Sequence, residues 1–163
     1  MYQKGDKILY PLYGAGIIEN LEDKDIDGEI QTYYVLNIPV GNLKIMISAA
    51  KAESHNVRPI LPADEILAVL AQTLNLQVDM PDNWTLRYKE NMDRIRSGDL
   101  SQVALVFHSL LLRERERGLS TAEKKLMTTA KQIILSELIL ALDIDRVEAE
   151  EILDNTLQRQ EGI

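Results

Sequence analysis

The sequence predicts an α+β protein, in which a small β-barrel precedes an all-α helical bundle. Up to about residue 60, short runs rich in Ile, Leu, Val and Tyr are separated by the residues that turns require. From Pro62 onward the apolar residues recur at helical spacing, and helix caps interrupt the chain at intervals. This change of period predicts two domains, residues 1–60 and residues 61–163.

The first domain is expected to contain four or five short strands that close into the barrel. A sheet this short closes on itself more readily than it packs as an open layer, and Gly14 and Gly16 suit a bend at a barrel corner. The predicted strands are Lys7–Tyr10, Gly16–Asn20, Gln31–Ile38 and Leu43–Ile47, with Pro11, Gly14, Asp27-Gly28 and Gly41-Asn42 in the turns between them.

The second domain is expected to contain five helices. Because Pro81 disfavours helix at Met80, the segment Val78–Pro81 is predicted to be an extended connector. The predicted helices are 64–74, one capped by Asp82 or Asn83 that stops at Ser97-Gly98, one from Asp99 to Gly118, one opened by the capping box Ser120-Thr121-Ala122-Glu123, and one from Asp145 to about Gln158. The predicted buried stripes are Leu100, Val103, Ala104, Phe107 and Leu111 on the third helix, and Leu126, Ile133, Leu138 and Ala141 on the fourth.

Composition predicts a cytoplasmic protein. No apolar run is long enough for a membrane span, and the N-terminus does not show a basic-then-apolar leader. The chain has no cysteine, which excludes disulfides, thiolate metal sites and a cysteine nucleophile. Its stability therefore has to come from packing.

Net charge argues against a protein that coats nucleic acid, because the chain carries −8 and phosphate neutralisation needs surplus Lys and Arg. Only the segment 82–142 is locally basic, with 10 basic and 8 acidic side chains. This segment could face DNA while the rest of the protein repels it. A solvated helix face of mixed charge explains the same numbers.

Motifs for catalysis or cofactor binding are weak. Asp23-Lys24-Asp25-Ile26-Asp27-Gly28 begins like a calcium-binding loop, but Tyr34 stands where the bidentate Glu should be, so a charged β-turn is the preferred interpretation. The histidines, His55 and His108, lack an evident partner set, and Gly14-Ala15-Gly16 lacks the remainder of a phosphate loop. We expect neither an enzyme nor a metal, cofactor or small-molecule ligand.

Trp84 is the only tryptophan, and it lies in the first turn of a predicted helix. An aromatic side chain beside basic residues at a helix N-terminus can enter a minor groove and stabilise an unstacked base step. The alternative is that Trp84 belongs to a buried stripe with Tyr88, Met92 and Ile95. The basic residues along this helix are Arg87, Lys89, Arg94 and Arg96, and those of the next two helices include Arg113, Arg115, Arg117, Lys124, Lys125 and Lys131.

Taken together, the residues resemble the CarD/CdnL family of bacterial RNA polymerase-binding transcription regulators. The resemblance runs from about Lys4 to Leu157. In the first domain it rests on Lys4-Gly5-Asp6, Tyr10-Pro11, Gly14-Ala15-Gly16-Ile17-Ile18-Glu19 and Tyr34-Val35-Leu36. In the second it rests on Asn83-Trp84, Arg87-Tyr88, Ser97-Gly98-Asp99, Gly118-Leu119-Ser120-Thr121-Ala122-Glu123-Lys124 and Ser136-Glu137-Leu138.

The resemblance implies a Tudor/SH3-like barrel that binds the lobe of the polymerase β subunit, and a helical domain that contacts promoter DNA at the upstream edge of the bubble. It makes Trp84 the minor-groove wedge, with Arg87 and Lys89 facing the DNA backbone. The expected DNA-binding residues are Trp84, Arg87, Lys89, Arg94, Lys124 and Lys125, and the expected polymerase-binding residues are Lys24, Lys44 and Met46.

Two positions depart from the family pattern. Met46 stands where relatives often carry an arginine that faces polymerase, and Leu86 replaces a residue that is commonly basic. Affinity for either partner can therefore differ from that of other members. A protein–protein adaptor on RNA polymerase that contacts no DNA is the alternative function.

Overall fold

The computed structural model describes residues 1–73, 76 and 79–161, and within them the predicted α+β class is confirmed. Five strands precede five helices. The strands are β1 (Lys7–Tyr10), β2 (Gly14–Ile26), β3 (Glu29–Ile38), β4 (Leu43–Ser48) and β5 (Arg58–Pro59). The helices are α1 (Ala63–Thr73), α2 (Trp84–Arg96), α3 (Leu100–Arg117), α4 (Thr121–Leu142) and α5 (Arg146–Glu161).

The strands form one antiparallel sheet in the order β4-β3-β2-β1-β5, and the predicted closed barrel is wrong. Closure would require β4 to pair with β5, but these strands are the two edges of the sheet. With only two residues, β5 offers little backbone for another strand to pair with. Helix α4 packs against β2 of this open sheet, where the backbone N–H of Ala15 donates to the Ser136 hydroxyl over 2.8 Å.

The hairpin of β2 and β3 is longer than predicted, since the strands stay paired out to Ile26 and Glu29. Asp27 and Gly28 form its two-residue turn, both with positive φ, as hairpin turns of this length require. The calcium-like segment is therefore part of a hairpin, as the turn interpretation predicted. Its carboxylates accept local hydrogen bonds, that of Asp25 from the Gly28 N–H and that of Asp23 from the Thr32 hydroxyl.

On β3 and β4 the sheet has one buried and one solvent-facing side. On β3, Tyr34, Leu36 and Ile38 alternate with partly exposed neighbours, as a half-buried strand requires. The buried side of the sheet packs in a cluster that also contains Ile8, Ile18, Ile47, Ala52 and Val57. The opposite side packs against the helices at Leu9 and Ala15, and is open to solvent on β3 and β4.

Gly14 and Gly16 are required for close packing, not for a barrel corner. Gly14 has φ +120°, and a Cβ there would lie 2.9 Å from the Ser136 hydroxyl oxygen. A Cβ on Gly16 would lie 2.6 Å from the Asn37 carbonyl oxygen of the neighbouring strand. Their lack of a side chain lets α4 lie against β2 and lets β3 pass close beside it.

The helices begin at the predicted caps. Asn83, Asp99 and Ser120 each accept backbone N–H groups at the start of α2, α3 and α4. The main core combines Leu9 and Ala15 of the sheet with buried residues of all five helices. Leu74, the predicted end of the first helix, and Val78 of the predicted connector lie outside the described residues.

A buried carboxylate joins the two halves of the chain. Glu137 of α4 is fully buried and accepts two hydrogen bonds from the Arg58 guanidinium, at 2.8 and 2.9 Å, and one from the Leu61 backbone N–H at 2.8 Å. Arg58 also donates to the Gly98 carbonyl, at the junction of α2 and α3. The sheet, the chain leaving it and the helical half are thereby fastened at one point.

Candidate nucleic-acid and polymerase interfaces

Trp84 is the first residue of α2 and lies on the surface. The preceding Asn83 has an extended conformation, and its side chain accepts from the N–H groups of Thr85 and Leu86. The indole is 56% exposed, so the interpretation of Trp84 as part of a buried stripe is wrong. Leu86 is also exposed, which makes the start of α2 an apolar projection from the helical half.

The buried stripe of α2 consists of Arg87, Asn91 and Ile95, spaced four residues apart. Arg87 is only 3% exposed, so the expectation that it faces the DNA backbone is wrong for this structure. Its Nε and Nη2 donate to the two carboxylate oxygens of Glu123 at 2.8 and 2.7 Å. Its Nη1 donates to the carbonyls of Pro81 and Asp82 at 2.9 and 3.0 Å.

Glu123 belongs to the first turn of α4. The Ser120 hydroxyl accepts from its backbone N–H, which is one half of the predicted capping box. The carboxylate is directed to Arg87, and the hydrogen bonds from Arg87 lower the pKa of Glu123 below its ordinary value of 4.5 although burial acts in the opposite direction. The same hydrogen bonds raise the pKa of Arg87. Both groups therefore stay charged at neutral pH.

The Arg87–Glu123 pair brings the first turns of α2 and α4 together. Lys124 and Lys125 follow Glu123 directly and are exposed, so they lie near the start of α2. Lys124 is 4.0 Å from a Glu114 carboxylate oxygen. This arrangement places an exposed indole and two exposed ammonium groups at the same end of the helical half.

The remaining expected DNA-binding residues lie farther along α2. Lys89 is exposed and forms an ion pair with Asp93 at 3.2 Å. Arg94 is partly buried and donates to the Asn91 side chain at 3.0 Å. Exposed pairs of this kind contribute little to stability, so the ammonium group of Lys89 can exchange Asp93 for another anion at small cost.

Lys24, Lys44 and Met46 lie on the open side of the sheet. The strand register pairs Met46 with Val35 and Lys44 with Asn37, on the side opposite the buried Tyr34 and Leu36. Met46 is 40% exposed. Lys44 lies 3.4 Å from a Glu19 carboxylate oxygen.

Lys24 lies farther out, on the β2–β3 hairpin, with its ammonium group 5.7 Å from the centre of the Tyr33 ring. Tyr33 occupies the same side of the sheet as Met46, two residues before Val35 on β3. The three expected polymerase-binding residues therefore share one face, with Tyr33 and Val35 between them. Tyr33 was not among the residues expected on this face, although strand alternation places it there.

Glu123 is a second residue of the site that was not expected there. Its capping-box position predicted a local role, whereas its side chain binds Arg87 of another helix. The spacing of Arg87, Asn91 and Ile95 was a usable signal, because a cation on the stripe that contains a buried Ile needs a buried anion.

The histidines lie apart from both surfaces. His55 lies beside Tyr10, with Nδ1 3.3 Å from the tyrosine hydroxyl. His108 lines a small cavity of about 10 Å³ between helices, together with Phe107, Leu153 and Leu157. Among residues 1–73, 76 and 79–161, no group of His, Asp and Glu side chains has the arrangement of a metal site.

Comparison with known sequences identifies the family. The family model described as "CarD-like/TRCF RID domain" matches residues 2–61, and the one described as "CarD, C-terminal domain" matches residues 65–154. The chain belongs to the CarD/CdnL family. A relative from Bacillus subtilis (strain 168), "Putative transcription factor YdeB", is 36% identical over 138 residues, which are 85% of this chain and 90% of that protein.

Membership in the CarD/CdnL family makes this chain a transcription-related factor, and the family is not an enzyme class. The matched N-terminal domain is of a type that interacts with RNA polymerase, which gives the general kind of partner. In the part of the CarD-family chain that the structure describes, none of the helices is long and apolar enough to cross a membrane.

Proposed function

We propose that this protein binds the lobe of the RNA polymerase β subunit and stabilises the promoter open complex by contacting DNA at the upstream edge of the bubble. The work is divided between residues 1–60, which bind polymerase, and residues 61–163, which bind DNA. The observation that carries the proposal is the 56% exposed Trp84 at a capped helix N-terminus, which Arg87 and Glu123 join to the first turn of α4 with its exposed Lys124 and Lys125.

The polymerase contact is assigned to the open side of the sheet. Lys24 and Lys44 supply charge at its two ends and Met46 supplies exposed apolar surface between them. Burial of a central apolar residue within a polar rim is the usual composition of a specific protein interface. This tether raises the effective concentration of the helical half at the promoter.

The DNA contact is assigned to the first turns of α2 and α4. Trp84 stacks at the edge of the bubble, while Lys89, Arg94, Lys124 and Lys125 contact the phosphates. An indole that binds the opened duplex better than the closed one shifts the equilibrium toward the open state. The net charge of −8 opposes binding to free DNA, so the effect depends on polymerase.

Trp84→Ala tests the proposal. Stacking of one base contributes roughly 1–3 kcal/mol, so the variant is expected to shorten the open-complex lifetime by about 5- to 150-fold relative to the wild-type protein, up to the whole of the protein's effect. It should still bind purified β lobe in a pull-down. Val147→Ala, which truncates another exposed apolar residue, is the control and should leave the lifetime unchanged.

Met46→Glu is the reciprocal variant in the same experiment, because it places a charge at the centre of the proposed polymerase face. It should lose pull-down by the β lobe and, with it, the lifetime effect. An unchanged lifetime in Trp84→Ala would contradict the wedge role. The adaptor function without DNA contact, which the ion pairing of Lys89 and Lys124 favours, predicts that result and a salt-insensitive effect.

A further inference from the structure

We infer that Arg87 and Glu123 form a positioning pair, which holds the first turn of α2 against the first turn of α4 and thereby fixes the direction of the Trp84 indole. The inference rests on the proposed function of Trp84. It assigns to Arg87 a role different from the phosphate contact that its charge suggests.

The geometry of the guanidinium leaves little for a phosphate to bind. Four donated hydrogen bonds, each between 2.7 and 3.0 Å, connect its three nitrogens to Glu123, Pro81 and Asp82. Both side chains of the ion pair are only 3% exposed. A phosphate could reach Arg87 only after this arrangement had opened.

The four acceptor oxygens belong to two segments that adjoin the start of α2. Pro81 and Asp82 belong to the chain that enters α2, and Glu123 belongs to α4. Arg87 itself lies one turn after Trp84, so its fork fastens the entering chain, the first turn and the neighbouring helix to one another. The Asn83 cap completes the anchoring of this turn from the other direction.

A fixed indole matters because a wedge acts through its orientation. If the first turn of α2 frays, Trp84 retains its exposure but samples many directions, and ordering it at the DNA then costs conformational entropy. The buried pair removes this cost before binding. It also holds the helix start that carries Trp84 to the turn of α4 that carries Lys124 and Lys125.

Arg87→Lys is the test variant, because it keeps the positive charge but cannot reproduce the forked contact. Since Trp84 is the only tryptophan, its fluorescence anisotropy in the free full-length protein reports the order of this turn. We expect lower anisotropy and stronger acrylamide quenching in Arg87→Lys, with retained far-UV circular dichroism. In transcription assays the variant should lose most of the lifetime extension at saturating protein, with an unchanged concentration for half-maximal polymerase binding.

Lys89→Met is the matched control, since Lys89 is an exposed cation of the same helix. Loss of one phosphate contact lowers, by about one, the slope of the logarithm of the lifetime extension plotted against the logarithm of the salt concentration. Lys89→Met should show this lower slope with unchanged Trp84 anisotropy. Arg87→Lys should show lower Trp84 anisotropy with an unchanged salt slope. Glu123→Gln should match Arg87→Lys, because it removes the acceptor charge without touching α2.

The outcomes separate the inference from the function on which it rests. Unchanged anisotropy and lifetime in Arg87→Lys, with a short lifetime in Trp84→Ala, would overturn the positioning role alone. A changed salt slope in Arg87→Met with unchanged anisotropy would make Arg87 a phosphate contact and overturn it as well. A normal lifetime in Trp84→Ala would remove the proposed function, while the anisotropy would still show whether the pair orders the turn.

Discussion

Arg87 is the residue whose placement differs most from what its charge suggests. A sequence pattern of basic residues along α2 assigns it to the surface, whereas the structure buries it against Glu123. Desolvation of both ions is offset because every nitrogen of the guanidinium has an acceptor and the carboxylate accepts two hydrogen bonds. Breaking one partner leaves the other charged and buried, which makes the pair a sensitive point in the fold.

Glu123→Gln should lower the free energy of unfolding by about 3 kcal/mol at neutral pH, because it leaves the buried Arg87 uncompensated. The folded protein holds the pKa of Glu123 below its ordinary value of 4.5, so the contribution of the carboxylate is present above that pH and is lost as the pH falls through the folded pKa. Urea unfolding at a series of pH values checks this. The difference between wild type and variant should be constant from neutral pH to about pH 5 and shrink below it.

Subtracting the free energy of unfolding of Glu123→Gln from that of the wild type at each pH removes the contribution of the other carboxylates. A difference that stays constant throughout the acid range would show that Glu123 does not carry the linked proton. The identity of the anion that pairs with Arg87 could not have been predicted from sequence alone, because the two residues are 36 positions apart on different helices. Trp84, by contrast, was a candidate because it is the only tryptophan and lies in the first turn of a predicted helix, although residue spacing alone left its exposure open.

At the scale of elements, the helix starts were predictable because each has a local chemical signal. Asn83, Asp99 and Ser120 have side chains that accept the first free N–H groups of a helix, and all three act as caps. The open edges of the sheet were not predictable in the same way. Which strands become the edges of the sheet depends on packing between residues far apart in the sequence, such as Ala15 of β2 and Ser136 of α4.

Asn83→Asp keeps a capping oxygen at the start of α2 but adds a negative charge beside Trp84. Asn and Asp cap equally well, and a negative charge favours a helix N-terminus, so stability should change by less than about 0.5 kcal/mol or increase slightly. A carboxylate next to Trp84 should nevertheless shorten the open-complex lifetime, since it repels the phosphates. Asn155→Asp adds the same charge on α5 and is the control. Equal lifetimes for the two variants would count against a DNA contact at this turn.

At the scale of the whole molecule, the sheet and the helices behave as one packed unit. Leu9 and Ala15 of the sheet belong to the core of the helical half, and Glu137 binds Arg58 and Leu61 across the junction. The period change near residue 60 indicated two segments, but it carried no information about this shared core. The division into two functional halves is therefore a proposal about binding, made for a chain whose parts are closely packed.

Unfolding should accordingly be a single transition in urea, with Trp84 fluorescence reporting the helical half and near-ultraviolet tyrosine signals reporting mainly the sheet. Glu137→Gln should lower the free energy of unfolding measured by either signal by on the order of 3 kcal/mol, because it weakens a fully buried acceptor of three hydrogen bonds. Glu150→Gln, in an exposed pair with Arg146, should cost less than about 0.5 kcal/mol. Two separate midpoints in the wild-type protein would contradict the shared core.

Helix α4 has 22 residues and carries Glu123 near one end and Ser136 and Glu137 near the other. An α-helix advances 1.5 Å and turns about 100° with each residue, so the fourteen positions from Glu123 to Glu137 set a span of about 21 Å and a fixed angle between the two attachments. A single residue gained or lost along that stretch would rotate one attachment by more than a quarter of a circle against the other. The number of residues between Glu123 and Glu137 is therefore constrained as well as the identity of the two side chains.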